Sequence, residues 1–156
     1  MHKVMREASI YDLLHTDHET VSGLFEQMEA TENPAQRERL VAQLKKELLA
    51  HSEAEDVVFY QRLKTAEEAR EIVLEAAEEH RVVARVLGEL ERLSAENERW
   101  AARLSVLKEL VEHHVEEEEG EIFKKAKTLF DRERERELGT AFLEQKKLVL
   151  AELRKG

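Results

Sequence analysis

WAARLSVLKELVEHHVEEEEGEIF, residues 100–123, sets Trp100, Leu104, Leu107 and Val111 at steps of three and four. Those four share one face of a 3.6-residue helix, the face a globular protein turns to its core. Extending the stripe brings His114 and then Glu118 onto it. Residues four apart lie one above the other, so this imidazole and this carboxylate can be aimed at one point.

The same interruption recurs upstream. Ile10, Leu14, Val21, Phe25 and Met28 form a stripe with His18 in the gap between Leu14 and Val21. Leu40, Leu44, Leu48 and Val58 form another, with His51 and Glu55 at its two missing positions. A third runs through Val73, Ala76, Val83, Leu87 and Leu90, with His80 in its middle. Four amphipathic helices thus each break their own apolar face with a histidine, and two of them add a glutamate four residues later.

One proline and five glycines leave little with which to build hairpins, and Glu, Leu, Ala, Lys and Arg dominate. The sequence predicts helices over about residues 9–30, 34–63, 66–93 and 98–130, and a last one over about 132–154. Ser9, Asn33 and Asp131 are placed to cap helix starts, and Pro34 suits a first helical position. Thr65 with Glu68 reads as a capping box. Short breaks between long helices imply alternating directions. The expected architecture is all-α: one domain over residues 1–156, an up-and-down antiparallel four-helix bundle over about 9–130, and an additional C-terminal helix.

The formal charge of −10 argues against nucleic acid and against an anionic membrane as partners, and it concentrates cations near the surface. With no cysteine there is no disulfide, no Cys-based zinc site and no thiol nucleophile. No stretch reaches the roughly 18 apolar residues of a membrane helix, and MHKVMREASIYDLL lacks the apolar core of a signal peptide. A cytoplasmic location is the expectation.

The breaks also fix depth. His18 stands about 14 residues before Glu32, His51 about 17 after Pro34, His80 about 14 after Ala66, and His114 about 17 after Asn97. At roughly 1.5 Å per residue these levels agree within about one turn, so antiparallel packing brings all six side chains to one layer. A lone core histidine is more often a hydrogen-bonded structural residue than a ligand. Six polar groups in one layer are different. Burying each unpaired costs about 1–3 kcal/mol, and together they rival the roughly 5–15 kcal/mol of a domain's stability. Coordination turns that liability into bonding. Four nitrogens and two carboxylates exceed one tetrahedral zinc and suit two six-coordinate ions, iron first, with Glu55 and Glu118 as bridges. An oxo or hydroxo bridge offsets part of the remaining charge. Manganese stays open.

The segments LLHTDHETVSGLF, HSEAEDVVFY, EEHRVV and HHVEEEEGEIF resemble the hemerythrin-like proteins of the HHE cation-binding class, over about residues 8–130. The resemblance implies a left-twisted bundle and makes His18, His51, Glu55, His80, His114 and Glu118 the metal ligands. Two departures stand out. Oxygen-carrying members have two histidines one turn apart on the third long helix, whereas here Ala76 and Ala84 flank His80. Gln61 and Lys124 stand where the family often has proline, so both helices are expected to run on.

His15, one turn before His18, and His113, beside His114, are expected at the boundary or surface, with hydrogen bonding to a ligand, or service as a substitute ligand, as the alternative. Tyr11 and Tyr60 are expected to be interfacial with wet hydroxyls, with a part at the site, even as phenolates, as the alternative. His2 is expected on the surface, and Trp100 and the phenylalanines in the core. The run 132–137 is expected to be a solvated face, and the last helix either a partner surface or a packed cap. The expected function is a non-haem diiron protein that binds or senses dioxygen, peroxide or nitric oxide. Alternatives are a diiron oxidoreductase acting on peroxide or nitric oxide, an iron-responsive interaction module, and a metal-free helical adaptor.

Overall fold

The computed structural model describes residues 8–155. His2 lies outside them. Helix α1 (Ile10–Glu29) begins where the Ser9 hydroxyl accepts the Asp12 amide at 3.3 Å. Helix α2 (Pro34–Glu55) begins where the Asn33 side chain accepts the Gln36 amide at 2.9 Å, with Pro34 in the first turn. The chain then passes through a π-helical turn (Asp56–Tyr60) and a last helical turn (Gln61–Leu63).

Helix α3 spans Glu67–Arg92. The Thr65–Glu68 capping box does not form. Ala66 occupies the cap, and the Thr65 hydroxyl donates backwards to the Arg62 carbonyl at 2.8 Å. A free carbonyl at the end of the preceding helix captures the hydroxyl first. Helix α4 (Trp100–Glu117) starts slightly later than expected, because the Asn97 side chain accepts the Arg99 amide at 2.8 Å and holds a turn there. A second π-helical turn (Glu118–Ile122) leads into Phe123–Leu129. Helix α5 (Arg132–Lys155) starts where Asp131 accepts the Arg134 amide at 2.8 Å.

Consecutive helices are neighbours and α4 closes on α1, so four helices form the bundle. Helix α5 runs along α1 and α2 and is more than a cap. Gly139 permits this approach, since a Cβ there would lie 2.7 Å from the Ala8 carbonyl oxygen. Most of the 132–137 run faces water.

All four apolar stripes are buried, as are Trp100, Phe25, Phe59, Phe123 and Phe142, with Phe130 only partly covered. The core falls into two clusters. One gathers Ile10, Leu14, Phe59, Leu63, Val73, Phe123 and Phe142. The other gathers Val21, Phe25, Leu44, Leu87, Trp100 and Leu107. Each fully buried large side chain contributes about 1.5–3 kcal/mol, which fixes the helices on both sides of the gap between the clusters. The buried histidines and glutamates fill that gap. Among the described residues, no helix is long and apolar enough to cross a membrane.

Candidate metal centre

His18 of α1, His51 and Glu55 of α2, His80 of α3, and His114 and Glu118 at the end of α4 are all buried, with Glu55 and Glu118 wholly enclosed. They meet as two trios, His18–His51–Glu118 and Glu55–His80–His114. Each glutamate also touches the other trio. Glu55 Oε1 is 3.2 Å from His80 Nε2 and 3.4 Å from His51 Nε2. Glu118 Oε1 is 3.0 Å from His18 Nε2, and its Oε2 is 3.8 Å from His114 Nε2. Both carboxylates therefore stand between two imidazole pairs, the position a bridge requires.

The far nitrogen of every imidazole is held by a carboxylate. His51 Nδ1–H donates to Asp17 at 2.8 Å, and His80 Nδ1–H donates to Asp56 at 3.0 Å. His114 Nδ1–H donates to Glu79 at 2.7 Å, and His18 Nδ1–H donates to Glu119 at 2.6 Å. Each acid sits beside a layer residue in sequence but serves a histidine on the adjacent helix. The contacts close a circuit: α1 to α2, α2 to α3, α3 to α4, α4 to α1. A carboxylate can only accept, so each Nδ1 is the protonated nitrogen and each Nε2 faces the interior. Histidines that bind metal are oriented in this way.

The inner atoms fit a bound cation. His18 Nε2, His51 Nε2, both Glu55 oxygens and Glu118 Oε1 are buried without a hydrogen bond. The short His18–Glu118 and His51–Glu55 separations are close but not aligned as hydrogen bonds. Neutral imidazoles there would point lone pairs at carboxylate lone pairs, so the bare layer takes up protons. Burial favours neutral His51, but Glu55 and Asp17 outweigh it and push its pKa up to about 10. The same opposition, with Asp56 and Glu55 winning, takes His80 up to about 9. Burial opposes ionisation of Glu55 as well, yet His51 holds its carboxyl well below the usual range. Burial and then the Glu55 charge raise Glu118, so Glu118 is the one of the pair that keeps its proton longer.

Residues 9–126 match the family model described as the hemerythrin HHE cation binding domain. The chain belongs to the hemerythrin HHE cation-binding family. This hemerythrin domain is also similar to a protein named DNA nickase from Nostoc sp. (strain PCC 7120 / SAG 25.82 / UTEX 2576), 26% identical over 140 residues. That match covers 88% of this chain and 39% of the relative. No solved structure matches.

Besides the four acids that hold the outer imidazole nitrogens, two features of the hemerythrin domain escaped sequence reasoning. One is the pair of π turns, the first directly after Glu55 and the second beginning at Glu118. Such turns add a residue to the helical repeat and are frequent at functional sites. They let both helices run on past Gln61 and Lys124. The other feature is Tyr60. Its hydroxyl is not wet but buried, donating to Glu118 and lying 3.3 Å from His114 Nε2. Its ring stacks on His80 at 5.2 Å and 15°. Burial, then Glu118 and Glu55, hold its pKa well above the phenol range. The first π turn delivers it there, and the aromatic five residues after Glu55 was the available signal. Ala76 is buried one turn before His80, and Tyr60 supplies a polar atom at that end of the layer.

The remaining polar residues sort by position. His15 is exposed, but its Nδ1–H donates to Glu119 at 2.9 Å, sharing the oxygen that holds His18. His113 is exposed, 3.0 Å from Glu117. Tyr11 is buried, contrary to expectation, because Phe59 and Phe123 enclose its ring. Beside the layer a cavity of about 30 Å³ is walled by the four histidines with Val21, Leu48, Val83 and Val111. It has room for a molecule of one or two heavy atoms. A larger cleft of about 240 Å³ between α1 and α4 shares His18, Val21, Val111 and Val115 with it.

Proposed function

We propose that this domain holds two iron ions and binds or senses a small ligand such as dioxygen, peroxide or nitric oxide. One observation carries the reading: four imidazoles and two carboxylates converge, five of their eight inner atoms (His18 Nε2, His51 Nε2, both Glu55 oxygens and Glu118 Oε1) are unpartnered, and every outer nitrogen is tied to an acid. His18, His51, Glu55, His80, His114 and Glu118 would hold the metal, with Glu55 and Glu118 placed to be shared between two ions. When bound, iron supplies an electron-rich centre able to take up a diatomic molecule or peroxide. The chain's own residues do the rest. Asp17, Asp56, Glu79 and Glu119 orient the imidazoles. Val21, Val83 and Val111 line an apolar cavity that admits small uncharged molecules and disfavours ions.

Elemental analysis and near-ultraviolet spectra under air and argon test this on wild type and His80→Ala. Iron near two per chain with an air-sensitive band is expected, with most iron lost in the mutant. Wild-type protein that takes up no iron and lacks the band would sink the proposal.

Tyr60 favours a second reading, a diiron oxidoreductase acting on peroxide or nitric oxide, because its hydroxyl is a buried proton donor at the layer. Steady-state turnover of either substrate by iron-loaded protein, reduced by Tyr60→Phe, distinguishes it from ligand binding alone. The nickase likeness suggests phosphodiester cleavage, but a formal charge of −10 weighs against DNA as a partner. Supercoiled plasmid is expected to survive incubation with the metal-loaded domain.

A further inference from the structure

Helix α5 lies beyond the residues matched by the family model, 9–126, yet it reaches the polar layer. Lys146, with 16% of its side chain exposed, sets Nζ 2.8 Å from Asp17 Oδ1 and 3.4 Å from Glu47 Oε2. The other Asp17 oxygen takes the His51 proton at 2.8 Å. One turn earlier on α5, the enclosed Phe142 ring meets His51 edge to face at 5.8 Å. Gly139, a turn before that, lies against the start of α1, where a Cβ would fall 3.2 Å from the Ile10 amide nitrogen. Gly139, Phe142 and Lys146 share one helix face. Among the described residues, Asp56, Glu79 and Glu119 have no lysine or arginine partner. His51 alone is fixed from outside the bundle.

We propose that Lys146 is a positioning residue for His51, and that docking of α5 and occupancy of the metal centre are coupled; this rests on the metal-binding reading above. Asp17 pinned at one oxygen cannot turn its other oxygen away from the His51 ring. Freed, it gains rotamers, and the ring loses its fixed tilt toward the interior. The half-buried ammonium gains from Asp17 and Glu47 as Asp17 gains from it, because an unpaired charge with little access to water is costly. Coupling between the two events acts with equal strength in both directions.

Iron(II) affinity under argon, measured on the full chain, tests the role of Lys146. Lys146→Met is expected to weaken binding about tenfold, the low end for loss of a group that orients a metal-binding histidine. Lys146→Arg is expected to restore most of it. Leu148→Ala, on the exposed side of the same helix, is expected to leave it unchanged. Lys146→Met binding as tightly as wild type, or more tightly, overturns the proposal and leaves the metal centre standing. Wild type that binds no iron removes both. If Lys146→Met does not fold, hydrogen exchange on wild type decides. Amides of residues 139–149 are expected to exchange about tenfold more slowly in loaded than in stripped protein, by the same coupling. Equal rates overturn the proposal.

Discussion

The Tyr60 hydroxyl donates to the enclosed carboxylate of Glu118. In metal-free protein this is the hydrogen bond that satisfies Glu118 Oε2. Tyr60→Phe is therefore expected to destabilise metal-free protein by about 2 kcal/mol, the scale of a buried hydrogen bond to a charged group. Once metal takes the carboxylate the difference is expected to shrink. Chemical denaturation of both proteins, stripped and loaded, measures it. An equal loss in the two states would separate Tyr60 from the centre.

The outer acids act through the imidazoles they hold. Asp17→Asn and Glu79→Gln are each expected to weaken metal binding about 10- to 100-fold while leaving the helical spectrum intact. Asp56→Asn is expected to lose less, since that carboxylate is 42% exposed and water can replace it. Glu116→Gln, on the surface, is the control. Isothermal titration with iron(II) ranks them.

Protons and metal compete for the same nitrogens. His51 and His80 have folded pKa values of about 10 and about 9, above the roughly 6.5 of an unfolded chain. A group raised by folding stabilises fully below its unfolded value, and that contribution fades as pH rises through its folded value. Metal-free protein is thus expected to lose thermal stability as pH climbs from about 6.5 towards 10. Glu55, held low, acts in the opposite sense and withdraws its contribution in acid. Over the alkaline window the apparent metal affinity is expected to rise, because binding must expel those protons. Melting curves of stripped protein and titrations at several pH values follow both trends. A flat affinity profile would contradict the competition.

Val111 lines both the small cavity and the adjoining cleft. Val111→Phe is expected to slow combination of the reduced centre with dioxygen or nitric oxide by about tenfold or more, with little change in metal content, because packed interiors have no spare volume to yield. Stopped-flow mixing reads the rate. An unchanged rate would place the ligand's path elsewhere.

Much of this was legible in the chain. The six inner residues stood out because each occupies an apolar position of a helical stripe, and a buried imidazole in place of leucine is conspicuous. Helix ends followed from Ser9, Asn33, Pro34 and Asp131, whose chemistry is local. The four outer acids were hidden because each serves a histidine on another helix, and among so many glutamates a partner cannot be picked by spacing. Glu117 and Glu119 differ by two positions, yet only Glu119 touches His18. Tyr60 was misread because an ideal α-helix does not anticipate the extra residue of the π turn. Thr65 was misread because a neighbouring carbonyl competed for its hydroxyl.

The circuit of acids also reveals an internal echo. Asp17 and Glu79 precede the lone histidines and serve the next helix, while Asp56 and Glu119 follow the glutamates and serve the opposite hairpin. Helices α1–α2 and α3–α4 are thus two renditions of one unit, each ending in its own widened turn. The echo fails at two places. Tyr60 corresponds to Phe123, five residues past each glutamate, so one hydroxyl has no counterpart. Lys146 supports Asp17 and, among the described residues, has no twin at Glu79. A near-symmetric vessel with one phenol at one end and one ammonium at the other offers two unlike seats, and were two ions held there they would be expected to fill, and to change oxidation state, one before the other.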